Sequence, residues 1–408
     1  MKRFLSILFA VICIFATLSF SSCAITNEWR LLLGVERQGD YIIRQGECLY
    51  QSPKKVDISS LIVKKIKKEK KLLGIYVNQG SGSLNYIEKD GEMYFLYCYQ
   101  REVSDVQNQY RNGSHTVNYY AFGKTPFLNP SVTISEYFSL FCEHSEPMPI
   151  NAVGTIGNYV VFEQYRTPFE LLIYDSETLK RQPIELNGYR VSHIEDNALI
   201  LWKEIEGEIA LRILDENLTE YEVTYPSGNN SDLHGEYLLI YNETEDTVSG
   251  VNYKTGETLS EEQAKLMLEE EQAVTKTSPH FTYHGKSYTY GVYDAGQTLN
   301  EESPKELTIQ EMGTDTVYSA TYEELWSIAP AMTEIRKIYQ EDFDYCQIFA
   351  QDDELFFAFA NRNSFFGVST NNTSPLLVFR YNEQTKQFDY IGCAGTYGGI
   401  SEIYKGTL

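Results

Sequence analysis

Tyr159-Val160-Val161-Phe162, Ala198-Leu199-Ile200-Leu201-Trp202 and Tyr237-Leu238-Leu239-Ile240-Tyr241 are the stretches whose reading decides the fold. Each opens directly after a turn-forming pair: Gly157-Asn158, Asp196-Asn197 and Gly235-Glu236. Short apolar runs bounded by turn residues predict strands buried on both faces. Working outward, the same opening recurs at Gly39-Asp40, Gly91-Glu92, Gly285-Lys286 and Asp353-Glu354, with runs such as Met93-Tyr94-Phe95-Leu96-Tyr97 and Leu355-Phe356-Phe357-Ala358-Phe359. Counted from residues 40, 92, 158, 197, 236, 286 and 354, the steps are 52, 66, 39, 39, 50 and 68 residues.

A second pattern runs in phase with the first. Leu171-Leu172-Ile173-Tyr174-Asp175, Leu211-Arg212-Ile213-Leu214-Asp215, Val251-Asn252-Tyr253-Lys254 and Val378-Phe379-Arg380-Tyr381-Asn382 each end an apolar strand in a polar turn. Asp175, Asp215 and Lys254 are 40 and 39 residues apart. Two signatures at one period predict a repeat of small sheets, and the bare step of 39 residues is close to one four-stranded propeller blade. The expected fold is all-β, a seven-bladed β-propeller with short helical insertions. Six or eight blades are also compatible, because long insertions can hide or mimic a unit. Closure requires the chain ends to share a blade, so Gly399-Ile400-Ser401-Glu402-Ile403-Tyr404 is expected to pair with the first unit. Helices are expected in two insertions, where Ser260 with Gln263 and Thr321 with Glu324 form capping-box signatures.

Over residues 30–403 the chain resembles the bacterial extracytoplasmic β-propellers of the WD40/YVTN-like group. The resemblance is one of architecture. The Trp-Asp endings of WD40 repeats, the Gly-Gly pairs of kelch repeats and the Ser-x-Asp-x-Gly-x-Thr-Trp box of sialidases are all missing, so no catalytic residue is carried over.

The N-terminus resembles a bacterial lipoprotein signal: Met1-Lys2-Arg3, an apolar run from Phe4 to Phe20, then Ser21-Ser22 before Cys23. Phe20 stands where that family usually carries Leu. The resemblance implies removal of residues 1–22, diacylation of Cys23, a tether over 23–29 and a single propeller domain over 30–408. It further implies a lipid-anchored, extracytoplasmic place in the bacterial cell envelope, with the membrane as a partner. An ordinary secretory signal is the alternative reading, whereas an uncleaved anchor is disfavoured because the apolar run is shorter than the roughly 20 residues of a span.

Loss of the leader takes the net charge from −23 to −25, with 32 basic residues against 57 acidic ones. A nucleic-acid partner needs a basic footprint and is not expected. Beyond Cys23, the thiols Cys48, Cys98, Cys142, Cys346 and Cys393 show no metal-like spacing, and Cys98 reads as buried in a strand. His234 and His284 each precede a turn glycine, but no third ligand accompanies them, so no metal and no cofactor is expected. The lysine cluster at 54, 55, 64, 65, 67, 68, 70 and 71 reads either as an outer strand whose lysines discourage edge pairing or as a surface for anionic headgroups.

No G-x-S-x-G elbow and no phosphate-cradling loop is present, and abundant carboxylates alone do not define an acid–base pair. Long loops are more informative. Residues 100–116, 294–304 and 361–375 are expected between second and third strands, and 124–149, 259–279 and 321–344 between blades. Both kinds emerge on one face of a propeller, which is expected to carry Tyr99, Tyr110, Phe127, Phe365 and Phe366 as exposed aromatics among polar residues. The functional expectation is a protein- or glycan-binding or scaffold module acting through that face. The alternatives are a carbohydrate-active enzyme with carboxylates at the central channel and a solute sensor.

Overall fold

The recurrent apolar runs are strands, and each occupies the second place in a four-stranded antiparallel sheet. The structure is a computed structural model that describes residues 41–51, 54–70, 84–103, 115–139, 150–164, 169–242, 247–274, 279–294, 305–321, 324, 345–360, 376–395 and 399–408. Blade 1 contains β1 (Tyr41–Gln45), β2 (Cys48–Gln51) and β3 (Lys54–Asp57), and helix α1 (Ile58–Lys70) follows it. Blade 2 contains β4 (Leu84–Lys89), β5 (Glu92–Val103), β6 (His115–Pro126) and β7 (Thr133–Ser139). Blade 3 contains β8 (Ile150–Ile156), β9 (Tyr159–Gln164), β10 (Glu170–Asp175) and β11 (Arg181–Gln182). Blade 4 contains β12 (Arg190–Glu195), β13 (Ala198–Ile205), β14 (Glu208–Leu214) and β15 (Glu220–Pro226). Blade 5 contains β16 (Asn230–His234), β17 (Tyr237–Asn242), β18 (Thr247–Asn252) and β19 (Thr258–Leu259), followed by helix α2 (Glu261–Val274). Blade 6 contains β20 (His280–Tyr283), β21 (Lys286–Asp294), β22 (Lys305–Glu311) and β23 (Val317–Thr321). Blade 7 contains β24 (Tyr345–Gln351), β25 (Glu354–Ala360), β26 (Leu376–Asn382) and β27 (Gln387–Ala394). The last strand, β28 (Glu402–Lys405), returns to pair with β1. The fold is a seven-bladed β-propeller.

Two compact units carry the blades: residues 59–276 hold blades 2 to 5, and residues 1–58 with 277–408 hold blades 6, 7 and 1. Within each unit, period-two side-chain alternation sends neighbouring residues of one strand into different cores. On β9, Val160 and Phe162 pack with blade 2 residues Leu96, Tyr120 and Phe122, while Val161 packs with Leu199 and Leu201 of blade 4. On β13, Ala198 and Ile200 turn instead to Leu233 and Leu238 of blade 5. In the other unit, Phe357 and Phe359 of β25 join Phe281 and Leu307 of blade 6, while Phe356 and Ala358 join Tyr41, Ile43 and Ile403 of blade 1. A strand that serves two cores has no polar face, which is why these runs are continuously apolar. Cys98 lies in the same packing, and burial pushes its thiol up to about 11.

The turn signatures have local causes. Asp90-Gly91, Asp196-Asn197, His284-Gly285 and Asp352-Asp353 each have two consecutive left-handed residues, the backbone of a tight hairpin. Turns of successive blades are also joined: Lys89 Nζ donates to Gly157 O at 3.0 Å, Gly157 N to Asn197 Oδ1 at 2.7 Å, and Gly235 N to Asp196 Oδ2. Gly157 is required there, because at φ 48° a Cβ would lie 2.4 Å from Glu216 O. At the ends of the third strands, an Asx oxygen accepts two backbone N–H bonds from the turn. Asp175 Oδ1 takes Glu177 and Thr178, Asp215 takes Asn217 and Thr219, Asn252 takes Lys254 and Thr255, and Asn382 takes Gln384 and Thr385. The position equivalent to Asp175 and Asp215 is therefore Asn252, not Lys254, because only an acceptor side chain closes this turn.

The C-terminal segment is held from both sides, as its alternation suggested. β28 pairs with β1 from Tyr41↔Lys405 to Arg44↔Glu402. Opposite, Gln347 donates to Ile400 O at 2.9 Å and accepts from Ile400 N at 2.7 Å, and Gln351 makes the same pair of bonds with Ile403. Gln51 donates to Gly406 O and accepts from Leu408 N, each at 2.7 Å. Three side-chain amides thus stand in for a neighbouring strand.

Two further expectations are corrected. Residues 61–66 lie on α1 and not on an outer strand: Ile58, Ile62 and Ile66 recur at i, i+4, i+8 and are buried, a helical period that the lysines between them obscured. Of the cluster's described lysines, Lys54 and Lys55 lie on an outer strand, β3. Residues 124–149 are not one connection, since they contain the turn after β6 and the strand β7. Of the two capping boxes, Ser260 and Gln263 exchange bonds at the start of α2 (Gln263 N to Ser260 Oγ 3.3 Å, Ser260 N to Gln263 Oε1 3.1 Å). Thr321 and Glu324 do the same, and the turn beyond them lies outside the described residues.

Gln351→Ala removes two part-buried bonds to Ile403 and is expected to lower unfolding free energy by about 1–3 kcal/mol in urea titration. Asp175 is held below the ordinary carboxylate range, first by the Thr178 amide. Its contribution is therefore complete above the ordinary aspartate value of about 3.9 and disappears as pH falls through its depressed folded value. The stability gap between the native chain and Asp175→Ala should accordingly be widest at neutral pH and close in acid.

Candidate functional site

An open cleft of about 560 Å³ lies within the unit of residues 59–276, where blade 3 gives way to blade 4. One wall is Phe169 with the first residues of β10, Glu170 and Leu171; the other is the connection from β11 to β12, residues 184–189, ending at Arg190. The cleft therefore sits at the ends of the sheets from which second-to-third and blade-to-blade connections leave, the loop face indicated by the sequence.

The connection is shaped by Asn187 and Gly188, left-handed at φ 48° and 86°, with Tyr189 N donating to Leu186 O at 2.9 Å. This tight turn drives Tyr189 inward and leaves Arg190 at the rim. Tyr189 is 3% exposed and packs with Leu199, Leu201 and Leu171. Its hydroxyl donates to Glu222 at 3.3 Å, and its ring receives the Lys203 ammonium at 4.1 Å and the Arg212 guanidinium at 5.3 Å. Arg212 is buried, donates to the Glu185 carbonyl and pairs with Glu220 at 3.3 Å.

The rim differs from this frame. Phe169 is 38% exposed and carries the Arg190 guanidinium at 4.9 Å from its ring centre. Arg190 is itself exposed, and no carboxylate is paired with it among the described residues. Glu170, the nearest acid in sequence to Phe169, is taken by Arg181. In a chain of net charge −23, the rim thus offers a guanidinium with free N–H donors beside an apolar ring. That pairing can bind a planar anionic group and an apolar ligand face together.

The five aromatics expected on this face fare differently. Tyr99 is 4% exposed and stacks on Tyr119 at 5.7 Å inside the β5–β6 hairpin, whose strands extend past the point where a loop was expected. Phe127 is 1% exposed and its N–H bonds Gly91 O, which places it at the opposite end of blade 2, beside the hairpin turns. Neither is an exposed plate. Tyr110, Phe365 and Phe366, like Cys23, lie outside the described residues. Phe169, Tyr189 and Arg190 were not singled out, because the 39-residue step containing them read as a bare unit without a long loop. The Asn187-Gly188 pair was the available signal.

Among the described residues, the carboxyls whose titration is displaced move down: Glu69 through Tyr137, Asp175 through Thr178, Glu236 through Lys254, Glu324 through Thr321. A general acid at neutral pH needs displacement the other way. Among the described residues, no group of three or more His, Cys, Asp or Glu is arranged to hold a metal ion, and no helix is long and apolar enough to cross a membrane. Cys48, Cys98, Cys346 and Cys393 are free thiols. His284, in the β20–β21 turn, lies 3.3 Å from Glu383 in the β26–β27 turn.

No family model and no curated protein matches the chain. Solved structures similar to it include the acylaminoacyl peptidase of Pyrococcus horikoshii, at 9% identity and a TM-score of 0.28, with 76% of this chain covering 46% of that one. The chain therefore spans less than half of the peptidase's length. Dihydro-heme d1 dehydrogenase NirN in complex with DHE is similar at 7% identity and a TM-score of 0.31, over 91% of this chain and 76% of that one. Kluyveromyces lactis Hsv2p follows at 7% identity and a TM-score of 0.18, over 79% and 99%.

Frame and rim should separate on substitution. Tyr189→Ala is expected to lower unfolding free energy by about 3 kcal/mol or more. Phe169→Ala and Arg190→Ala, at exposed positions, should stay within about 0.5 kcal/mol of the native chain in the same denaturation assay.

Proposed function

We propose that this chain is an envelope-anchored propeller lipoprotein that acts as a binding module, and that the cleft bearing Phe169 and Arg190 takes a glycan with carboxylate or sulfate substituents. The observation that carries the reading is the exposed guanidinium over an exposed phenyl ring at the mouth of a cavity, with no carboxylate paired to it among the described residues. Sugars present apolar C–H faces to aromatic rings, and an acidic sugar adds a planar anion that suits the arginine fork. The net negative charge of the chain disfavours such ligands over much of its remaining surface. Anchorage rests on the leader grammar before Cys23.

Titration calorimetry with uronic-acid oligosaccharides and neutral gluco-oligosaccharides tests the ligand class. Acidic oligosaccharides should bind and neutral ones bind weakly. Arg190→Ala should weaken the acidic ligand about tenfold or more, since a charge-assisted contact of this kind contributes about 1.5–3 kcal/mol. Phe169→Ala should weaken both classes. Equal affinity of the native chain and Arg190→Ala for the acidic ligand would remove the proposal. Anchorage has its own readout: Cys23→Ser should move the protein from the membrane fraction to the soluble one.

A further inference from the structure

Residues 54–71 hold eight lysines against two acids, Asp57 and Glu69, in a chain with 57 acidic and 34 basic residues overall. The structure divides seven of these lysines into two groups, and Lys71 lies outside the described residues. Lys54 donates to Leu408 O, and Lys55 stands 5.3 Å over the Tyr50 ring. Lys65 pairs with Glu69 at 3.1 Å, and Glu69 accepts the Tyr137 hydroxyl at 2.7 Å while Lys70 lies 3.7 Å over the Tyr137 ring. These contacts pin α1 to β7, the outer strand of blade 2, and bury Ile62 and Ile66 on one side of the helix.

Lys64, Lys67 and Lys68 are left over. All three are exposed, and none has a carboxylate or ring partner among the described residues. Spaced i, i+3, i+4, they form one cluster on the helix, on the side away from the buried isoleucines. Lys67, Lys68 and Lys70 also occupy the last turn, where the helix dipole favours cations. The helix thus presents a concentrated positive face that the fold itself does not use.

We infer that the Lys64–Lys67–Lys68 face of α1 is a docking surface for an anionic lipid bilayer. A lysine near an anionic leaflet contributes about a fivefold gain in partitioning, so three together give about a hundredfold. The acidic remainder of the chain is repelled by the same leaflet, so contact through this face alone also fixes which side of the protein meets the membrane. This inference is independent of the glycan cleft. It complements the diacyl anchor expected at Cys23, which tethers the chain but does not set which face of the propeller meets the bilayer.

The experiment uses the full chain carrying Cys23→Ser, so that no acyl group contributes. It is sedimented with vesicles of phosphatidylcholine alone or with about 30 mol% phosphatidylglycerol, an anionic content that sets up the attractive surface potential. The expected result is a preference for the anionic vesicles that falls steeply with added salt. K64Q/K67Q/K68Q should lose about a hundredfold of that preference while keeping its urea midpoint; Lys180→Gln with Lys386→Gln, elsewhere on the surface, should lose little. Three results would overturn the inference: equal binding to both vesicles, a preference insensitive to salt, or an unchanged preference in the triple variant.

Discussion

The pairing of β28 with β1 is the interaction on which the remaining packing depends. All five residues of β1 are buried, and an unpaired strand with that burial would leave its backbone N–H and C=O groups without partners. Seven residues separate β27 from β28, and within them Gly395 and Gly399 approach Gln45 and Gln347 so closely that a Cβ would lie within 3.0 Å of a side-chain amide oxygen. Gly395 and Gly399 are therefore held close against β1 and blade 7, and Gln347 and Gln351 supply to Ile400 and Ile403 the donors and acceptors that a further strand would have given. The charged cluster of Arg380, Glu354, Lys405 and the Tyr41 hydroxyl closes the same junction at its outer end, with Arg380 also held by Asp389 at 2.8 Å.

Between blades, cohesion comes from aromatic and aliphatic side chains that alternate between two cores along one strand. Phe122 of β6 stacks on Tyr174 of β10 and meets Phe162 of β9 edge-on at 6.3 Å. In the other unit, Phe357, Phe359 and Phe379 gather round Phe388 at 4.7–6.4 Å. Edge and offset contacts of this kind add to the burial of large apolar area. The many Tyr and Phe residues of the composition are consumed here. That is why aromatic content by itself did not point to the binding rim, and why Tyr99 and Phe127 proved to be packing residues.

Charge is distributed with comparable economy. Most described basic groups are engaged inside the fold: Arg44 with Glu402, Arg212 with Glu220 and Glu185, Lys124 with Glu92, Lys254 with Glu236. Against that background, an arginine resting on a ring and three lysines clustered on a helix stand out among the outward-facing cations of the described residues. They lie on different elements, the entry to β12 and the C-terminal half of α1, and so suit different anionic partners.

The strand pattern and the closing role of residues 399–404 were legible in the sequence, because each is dictated locally, whereas seven units were read with six or eight still compatible. Apolar runs mark strands that feed two cores, Asx residues close turns through their own oxygens, and an alternating segment after the last full unit must find a partner. The same local logic failed for residues 58–70, where lysines at nearly every second position masked isoleucines spaced one helical turn apart. The cleft was hidden for a different reason. Phe169 and Arg190 are 21 residues apart, on different blades, and what joins them is the path of the Asn187-Gly188 turn. A residue's own sequence neighbourhood determines whether it can be a strand, a turn or a cap. Only the packing of one sheet against the next decides which rings are buried, which guanidinium is left without a carboxylate, and therefore where a ligand can be held.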